Sequence, residues 1–449
     1  MPAQLVWFRR DLRVRDHPAL VAAAEEGEVL PVFVLDPSFE RAGSARTAAL
    51  FTALHALHAA TDGALIVRSG KPEQVIPALV EEAGASAVHV SGETTPLGRR
   101  RDRAVERALD VPLVATGTPY AVSPGRVRKG DGDPYRVFTP FSRAWLEHGW
   151  RAPAEAPAPR WVRRVEGEGL PAVPEVSATL DWAAEEPALE RWAEFLDGPI
   201  DDYDEHRDRP DLDDTSRMSV ALKLGAVHPR TLLADLDRVA HSRSKAGQRS
   251  MLRYRTELAW REFYADVLWH QPRSAWHDYS EQLASMAYDE PDERFRAWQE
   301  GRTGFPMVDA GMRQLQAEGW MHNRLRMLTA SFLTKDLHVW WGVGARHFLD
   351  LLADGDLASN NHGWQWTAGT GTDASPYFRV FNPILQGKKF DPDGAYVRRW
   401  VPELRHLSGA SAHEPWKAAD GYDDGYPEPI VDHAAERQEA LARYEAARP

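Results

Sequence analysis

Residues 320–366 read WMHNRLRMLTASFLTKDLHVWWGVGARHFLDLLADGDLASNNHGWQW, and this stretch sets the character of the C-terminal half. Met321, Leu325, Leu328, Phe332 and Leu333 recur at helical spacing and supply a buried stripe. A second face of the same helix carries Asn323, Arg326, Met327 and Ala330 at i, i+3, i+4 and i+7. Polar, then sulfur-bearing, then small, that face suits the lining of a bound ligand better than a plain core. A second amphipathic segment (Phe348, Leu349, Leu351, Leu352) ends in DGDLASNN, read as a loop with two carboxylates and two side-chain amides. Trp340, Trp341, Trp364 and Trp366 surround it. Indoles are costly to bury unless the N–H finds a partner, so their density asks for a reason beyond packing.

Outward from that stretch the rhythm stays helical: 189–197, 216–224, 229–240, 245–270, 292–299, 307–318, 321–337, 345–353 and 393–400. The N-terminal part differs. Strand patterns at 4–8, 29–35, 64–68, 87–90 and 113–115 alternate with helical patterns at 19–25, 45–60, 72–82 and 97–108, with Asp16 placed to cap the first helix. That alternation predicts a doubly wound parallel sheet, whose ligands bind beyond the carboxyl ends of its strands. No GxGxxG or P-loop occurs, which argues against a standard dinucleotide or nucleoside triphosphate site. From Ser123 the pattern fails: SPGRVRKGDGDPYRVFTPF is basic and turn-rich, APAEAPAPRW is proline-rich, and 175–214 is acidic. The expected architecture is an α/β domain over 1–122, a connector over 123–188 and an all-α domain over 189–449.

Totals narrow the class. A chain of 449 residues exceeds one core and is expected to form two or more domains. The net charge of −13 gives no overall pull toward nucleic acid, although local basic segments keep a DNA partner open. With no cysteine, disulfides, thiolate-bound zinc and cysteine-ligated clusters are excluded, and no metal is expected. The N-terminus has no signal-peptide pattern and no apolar run reaches membrane length, so a cytoplasmic protein with no membrane partner is expected.

Several stretches together resemble the DNA photolyase/cryptochrome family: LVWFRRDLRVRDHPAL (5–20), TSRMSVALKLGAV (215–227), ELAWREFY (257–264), AWQEGRTGFPMVDAGMRQL (297–315), the opening stretch, and GTDASPYFRVFNPILQGKKFD (371–391). The similarity is most like the class I members that repair cyclobutane pyrimidine dimers. It implies FAD folded into a U shape on the helical domain, a monomer acting on dimer-containing DNA, and an antenna pigment on the α/β domain. For the flavin, the resemblance implies Tyr203, Thr215, Ser216, Arg217, Met218 and Ser219 along one segment. Thr215 and Ser216 are read at a helix start, where free N–H groups favour phosphate oxygens. Arg326 and Asp354 are the implied charge pair beside the isoalloxazine, with Asp356 near its ribityl or pyrimidine side. Asn360 matches the residue facing flavin N5, where an amide accepts a hydrogen bond without itself titrating.

The lesion pocket implied by the family is Glu257, Trp260, Asn323, Met327 and Trp366. Glu257, Trp260, Arg261 and Tyr264 fall on one helical face. The two indoles would stack on a flipped-out pyrimidine pair, each base worth roughly 1–3 kcal/mol. Glu257 and Asn323 would bond the base edges. Members acting on (6-4) photoproducts carry two histidines where this chain has Asn323 and Met327, which points to cyclobutane dimers. Arg324, Arg379, Lys388 and Lys389 are the implied DNA-binding cations. Trp364 and Trp341 match the first two members of the family's electron wire. Its third position, ten residues before Trp298, is Tyr288 here, so the terminal donor is Tyr288 or has moved to Trp340 or Trp298. SARTAALF and PLGRRRD resemble members that bind 8-hydroxy-5-deazaflavin, with Arg46, Glu93 and Lys223 as contacts; folate, another flavin or no antenna are the alternatives. A blue-light photoreceptor of the same family is the alternative function, and a flavin electron-transfer protein without DNA a remoter one.

Overall fold

The structure is a computed structural model that describes residues 2–155, 157–178, 180–372 and 379–448. Residues 373–378 of the 371–391 motif therefore lie outside the described residues. The chain divides into two compact units: residues 1–204 with 216–272, and residues 205–215 with 273–449.

In the first unit, β1 (Ala3–Phe8), β2 (Glu28–Leu35), β3 (Ile66–Ser69), β4 (Ala85–Val90) and β5 (Leu113–Ala115) form one sheet in the order β3-β2-β1-β4-β5. Every pairing is parallel. All six residues of β1 are buried, as a central strand covered on both faces must be. The crossovers are α1 (Pro18–Glu26), α2 (Ser44–Ala60), α3 (Pro72–Ala83) and α4 (Pro96–Ala108). Leu5, Trp7, Leu30, Val32, Ile76, Leu79, Val88 and Val105 make one of its apolar cores. The strand order reverses direction between β1 and β4, so the carboxyl ends of those two strands form the switch point where such sheets hold ligands.

Four local expectations are corrected. The cap of α1 is His17, whose Nδ1 accepts from Leu20 N. Asp16 instead turns out of the helix with φ 47° and accepts from Ala154 N at 2.7 Å and Arg230 Nη2 at 2.6 Å. The connector contains a helix, Phe138–His148, driven by burial of Phe138, Phe141 and Trp145. The helix after Thr215 begins only at Ser219, because Arg217 adopts φ 55°. Most consequential, the DGDLASNN segment is a loop only as far as Asp356, whose carboxylate caps helix Leu357–Ala368 by accepting from Ser359 N.

That last helix defies propensity, since its first turns contain Ser, two Asn, His and Gly. Tertiary bonds supply what propensity lacks. Asn361 Nδ2 donates to Ala275 O, Gln365 Nε2 donates to Ser274 O at 2.7 Å, and Tyr279 N donates to Gln365 Oε1 at 2.8 Å. Around it lie helices Pro306–Glu318, Asn323–Lys335 and Trp341–Leu351, sharing a core that includes Trp298, Leu325, Phe332, Trp341 and Trp364. Helix Asn323–Lys335 buries the Leu325, Leu328, Phe332, Leu333 stripe expected of it. No helix among the described residues is long and apolar enough to cross a membrane.

Candidate functional site

The longest helix of the first unit, Lys245–His270, sorts its side chains by face. Leu258, Ala259, Glu262, Phe263 and Asp266 are buried, whereas Glu257, Trp260, Arg261 and Tyr264 are half-buried. The second set recurs at i, i+3, i+4 and i+7, one stripe of the helix surface. Trp260 is set in plane by Phe138, whose ring stacks on it at 3.6 Å and 7°. Arg261 donates to the carbonyls of Pro119 and Leu222 and lies 4.4 Å above Tyr120, which commits it to the scaffold.

The buried face holds the helix in rotation. Glu262 accepts from Ala121 N at 2.5 Å, Val122 N at 3.0 Å and Trp145 Nε1 at 2.7 Å. Asp266 accepts from Gly125 N at 2.6 Å. Burial pushes both carboxyls above their ordinary range, against the pull of those N–H donors. Neither anchor was singled out from sequence. The signal was present, because the helical wheel places both among Leu258, Ala259 and Phe263.

On the same unit, Ser216 is buried with its Oγ 2.9 Å from the Tyr254 hydroxyl, and Tyr254 meets Tyr203 edge-on at 5.3 Å. Met218 is buried, Ser219 is exposed at the first position of helix Ser219–Leu224, and Arg217 lies 5.3 Å over Trp182. At the switch point of the sheet, a charge cluster missed in the sequence appears: Arg9 contacts Asp102, and Arg101 lies 3.6 Å from Glu93. Burial works to raise Glu93, but Arg10, Arg101, Arg9 and Lys223 outweigh it and hold its carboxyl below its ordinary range. Glu93 and Lys223 are thus within electrostatic reach of one another. Glu93 also lines a cavity of about 410 Å³ past the ends of β4 and β5, with Tyr120, Trp150, His228, Arg230 and Trp269.

The second unit presents two stripes. On helix Asn323–Lys335, Asn323 is exposed and Arg326 and Met327 are half-buried; Ala330 is fully buried, ending the stripe. On helix Leu357–Ala368, Leu357, Ser359, Asn360, Gly363 and Trp366 are the half-buried positions. Arg326 grips Asp354 through two parallel bonds, Nη1 to Oδ1 at 3.1 Å and Nη2 to Oδ2 at 2.7 Å, while its Nε donates to Met321 O. That fork fixes both groups in direction as well as charge. The Asn360 amide is oriented by carbonyl acceptors: its Nδ2 donates to Ala345 O at 3.0 Å and Asn361 Oδ1 at 2.8 Å. Both amide protons are spent, leaving Oδ1 as the accepting end. An oriented amide acceptor, a fixed Arg–Asp fork and the second carboxylate Asp356 are polar groups that would suit the edge of a flavin ring, which carries both donors and acceptors.

The expected DNA cations split. Arg379 and Lys389 are exposed. Lys388 is also exposed but contacts Glu414. Arg324 is not a solvated cation: its Nη2 pairs with Asp208 at 2.7 Å and its guanidinium sits 4.3 Å over Phe390.

The aromatic residues of the expected electron wire all lie within the second unit. Trp364 packs against Gly344, one turn along the helix that Trp341 begins. Trp341 lies 5.3 Å from Trp340, which is part-exposed. Trp298 reaches Trp364 edge-on at 6.2 Å but is wholly buried, so it provides no surface terminus. Tyr288 packs with Leu283, Met286 and Tyr444.

The first unit thus pairs a parallel sheet with a cavity past its strand ends, and helices in each unit spend one polar face on anchoring while presenting another. Residues 4–160 match the family described as DNA photolyase, and residues 254–446 that described as the FAD binding domain of DNA photolyase. The deoxyribodipyrimidine photo-lyase of Streptomyces griseus is 41% identical over 469 residues, covering 100% of this chain and 99% of that protein. The Escherichia coli K12 enzyme of the same name is 38% identical, with 100% and 99% covered. A class III photolyase from Agrobacterium tumefaciens superposes with TM-score 0.92 at 38% identity, covering 100% of this chain and 98% of that one. The chain belongs to the DNA photolyase family, and its cofactor is FAD.

Proposed function

We propose that the protein splits cyclobutane pyrimidine dimers in DNA under blue light, as a deoxyribodipyrimidine photo-lyase. Bound FAD, in its reduced form, supplies the photoexcited electron. The single observation that carries the reading is the half-buried stripe of Glu257, Trp260, Arg261 and Tyr264 on a helix whose other face is pinned by buried carboxylates. A carboxylate one turn from an indole held in plane by Phe138 suits a planar base with polar edges. The full-length relatives named photo-lyase favour repair over the photoreceptor reading.

Each residue then has a task. On the first unit, Trp260 stacks on a flipped-out base, and Glu257 bonds its edge and steadies charge as it develops there. On the second, Trp366 stacks, Met327 supplies apolar contact and Asn323 bonds a base edge. Ser216, Ser219, Thr215 and Arg217 would hold the flavin phosphates, with Tyr203 and Met218 packed behind them. Arg326, Asp354, Asp356 and Asn360 would hold the ring, Asn360 offering its carbonyl oxygen. Arg379, Lys388 and Lys389 meet the DNA backbone, and Arg324 joins them on exchanging Asp208 for a phosphate. Trp364 and Trp341 deliver electrons that restore the reduced flavin. Glu93 and Lys223, with Arg46, would contact an antenna pigment of the 8-hydroxy-5-deazaflavin type on residues 1–122. We further propose 123–188 as connector, 189–449 as the FAD and lesion domain, a monomer, and a cytoplasmic location. Illumination of FAD-loaded protein with an oligonucleotide carrying one thymine dimer tests the function: light-dependent restoration of the two thymines supports it, and equal dimer content in light and dark refutes it.

A further inference from the structure

Asp278 has no part in the reading above, yet its position is specific. Its Oδ1 accepts the indole N–H of Trp341 at 2.6 Å, a short bond for a neutral donor. Trp341 is fully buried, so this carboxylate is the partner that its N–H requires. The Trp340 indole faces the same carboxylate and lies 5.3 Å from Trp341. Tyr288 also feels Asp278: burial raises the phenol above its ordinary value and the nearby carboxylate adds to that rise. One half-buried carboxylate thus sits against the second member of the expected wire and near two groups that could follow it outward.

One-electron oxidation turns an indole N–H from a very weak acid into one comparable with a carboxylic acid. A cation radical at Trp341, itself fully buried, would face a half-buried carboxylate already in hydrogen-bond contact. Burial raises the Asp278 carboxyl and outweighs the opposing bonds from Trp341, Trp340 and Thr370 and the charge of His277, which leaves it a stronger base than an exposed aspartate.

We propose that Asp278 is the proton acceptor for Trp341 when that indole is oxidised, so that the wire stores its hole as a neutral indolyl radical. The step balances as follows. Trp364 gives one electron to the photoexcited flavin, which is the oxidant, and Trp341 gives one electron to refill Trp364. The Trp341 N–H bond then breaks, its electron pair stays on the indole nitrogen, and the proton passes to Oδ1 of Asp278. The products are a neutral radical and a neutral carboxylic acid. Removing the proton blocks return of the hole, because back transfer would have to move proton and electron together. Asp278 is in this sense a positioning residue and base of the wire, and the proposal rests on the assignment of Trp364 and Trp341 as that wire.

Two measurements separate this idea from the wire itself. In flavin-free protein, the Trp341 indole proton, assigned by its loss in Trp341→Phe, is expected far downfield by NMR and displaced upfield in Asp278→Asn. In flavin-loaded protein, transient absorption distinguishes cation from neutral tryptophan radicals. Asp278→Asn, nearly isosteric with the native residue, is expected to slow formation of the neutral radical by about 100-fold, the scale of losing a general base. Asp278→Glu is expected to restore part of the rate, which a purely structural role would not do. If Trp341→Phe leaves flavin photoreduction intact, the wire assignment fails and takes the proposal with it. If Trp341→Phe abolishes photoreduction while Asp278→Asn deprotonates at the native rate, the wire stands and Asp278 is not its base.

Discussion

Helices Lys245–His270 and Leu357–Ala368 meet the same requirement with different chemistry. Each presents a polar and aromatic stripe and must keep it from rotating, which apolar packing alone resists weakly. The first anchors itself with charge: Glu262 and Asp266, both buried, hold the N–H groups of residues 121–125. The second uses neutral groups: Asn361, His362 and Gln365 bond residues 274–279. Directional bonds pin a helix about its axis, and a stripe aimed at a ligand needs that pin. Carboxylates hold several donors at once but cost more to desolvate. Amides and imidazole cost less, and the imidazole ties stability to pH.

The strongest way to break the comparison is Glu262→Ala. It strands two backbone N–H groups and the Trp145 indole N–H in a buried site, and about 3–5 kcal/mol of stability should be lost in urea unfolding. A loss under 1 kcal/mol, on the scale of about one exposed hydrogen bond, would mean that packing alone pins this helix.

The next effect is a pH dependence of the neutral latch. His362 Nδ1 faces Ala358 O, so it carries the proton and donates; Nε2 then accepts from the Ser274 hydroxyl at 2.8 Å. Burial lowers this imidazole to about 4. Its folded value lies below the unfolded value of about 6.5, so the unfolded chain binds the proton first. The contribution is complete above about 6.5 and fades as pH falls toward 4, in total about 3 kcal/mol. His362→Gln should flatten that acid limb in a series of urea midpoints between those two pH values.

Gln365→Ala removes one donor and one acceptor and should cost about 2 kcal/mol, with hydrogen exchange rising first at Tyr279 N. The smallest effect concerns a surface group rather than a latch. Asp208→Ala frees Arg324 from its partner, which should barely alter stability while tightening DNA binding about two- to fivefold, because no ion pair has to be broken before the phosphate is met.

Much of this was legible in the residues themselves. Strand and helix limits in the first unit fall within a few positions of their hydrophobic periods, because parallel strands buried on both faces carry a strong signal. Helix Leu357–Ala368 was not legible, since its stability comes from Asp356 and from bonds to residues distant in sequence. Asp16 looked like a cap, but it is drawn to Arg230 over 200 residues away, which no local pattern reveals. Stripes such as Glu257, Trp260, Arg261 and Tyr264 could be read from spacing. The anchors behind them required knowing which loops pack there, and Asp278 required seeing a carboxylate meet an indole 63 positions further along the chain.

One measurement bears most directly on the central claim, that the stripe on Lys245–His270 meets a dimer lesion. FAD-loaded, reduced protein is illuminated with a dimer-bearing oligonucleotide, and repaired thymine is counted for the native chain and for Glu257→Gln and Trp260→Ala. The account predicts light-dependent repair by the native chain, a several-fold loss of yield in Glu257→Gln, and lesion affinity weakened about tenfold or more in Trp260→Ala. Native-level repair and affinity in both variants would contradict it.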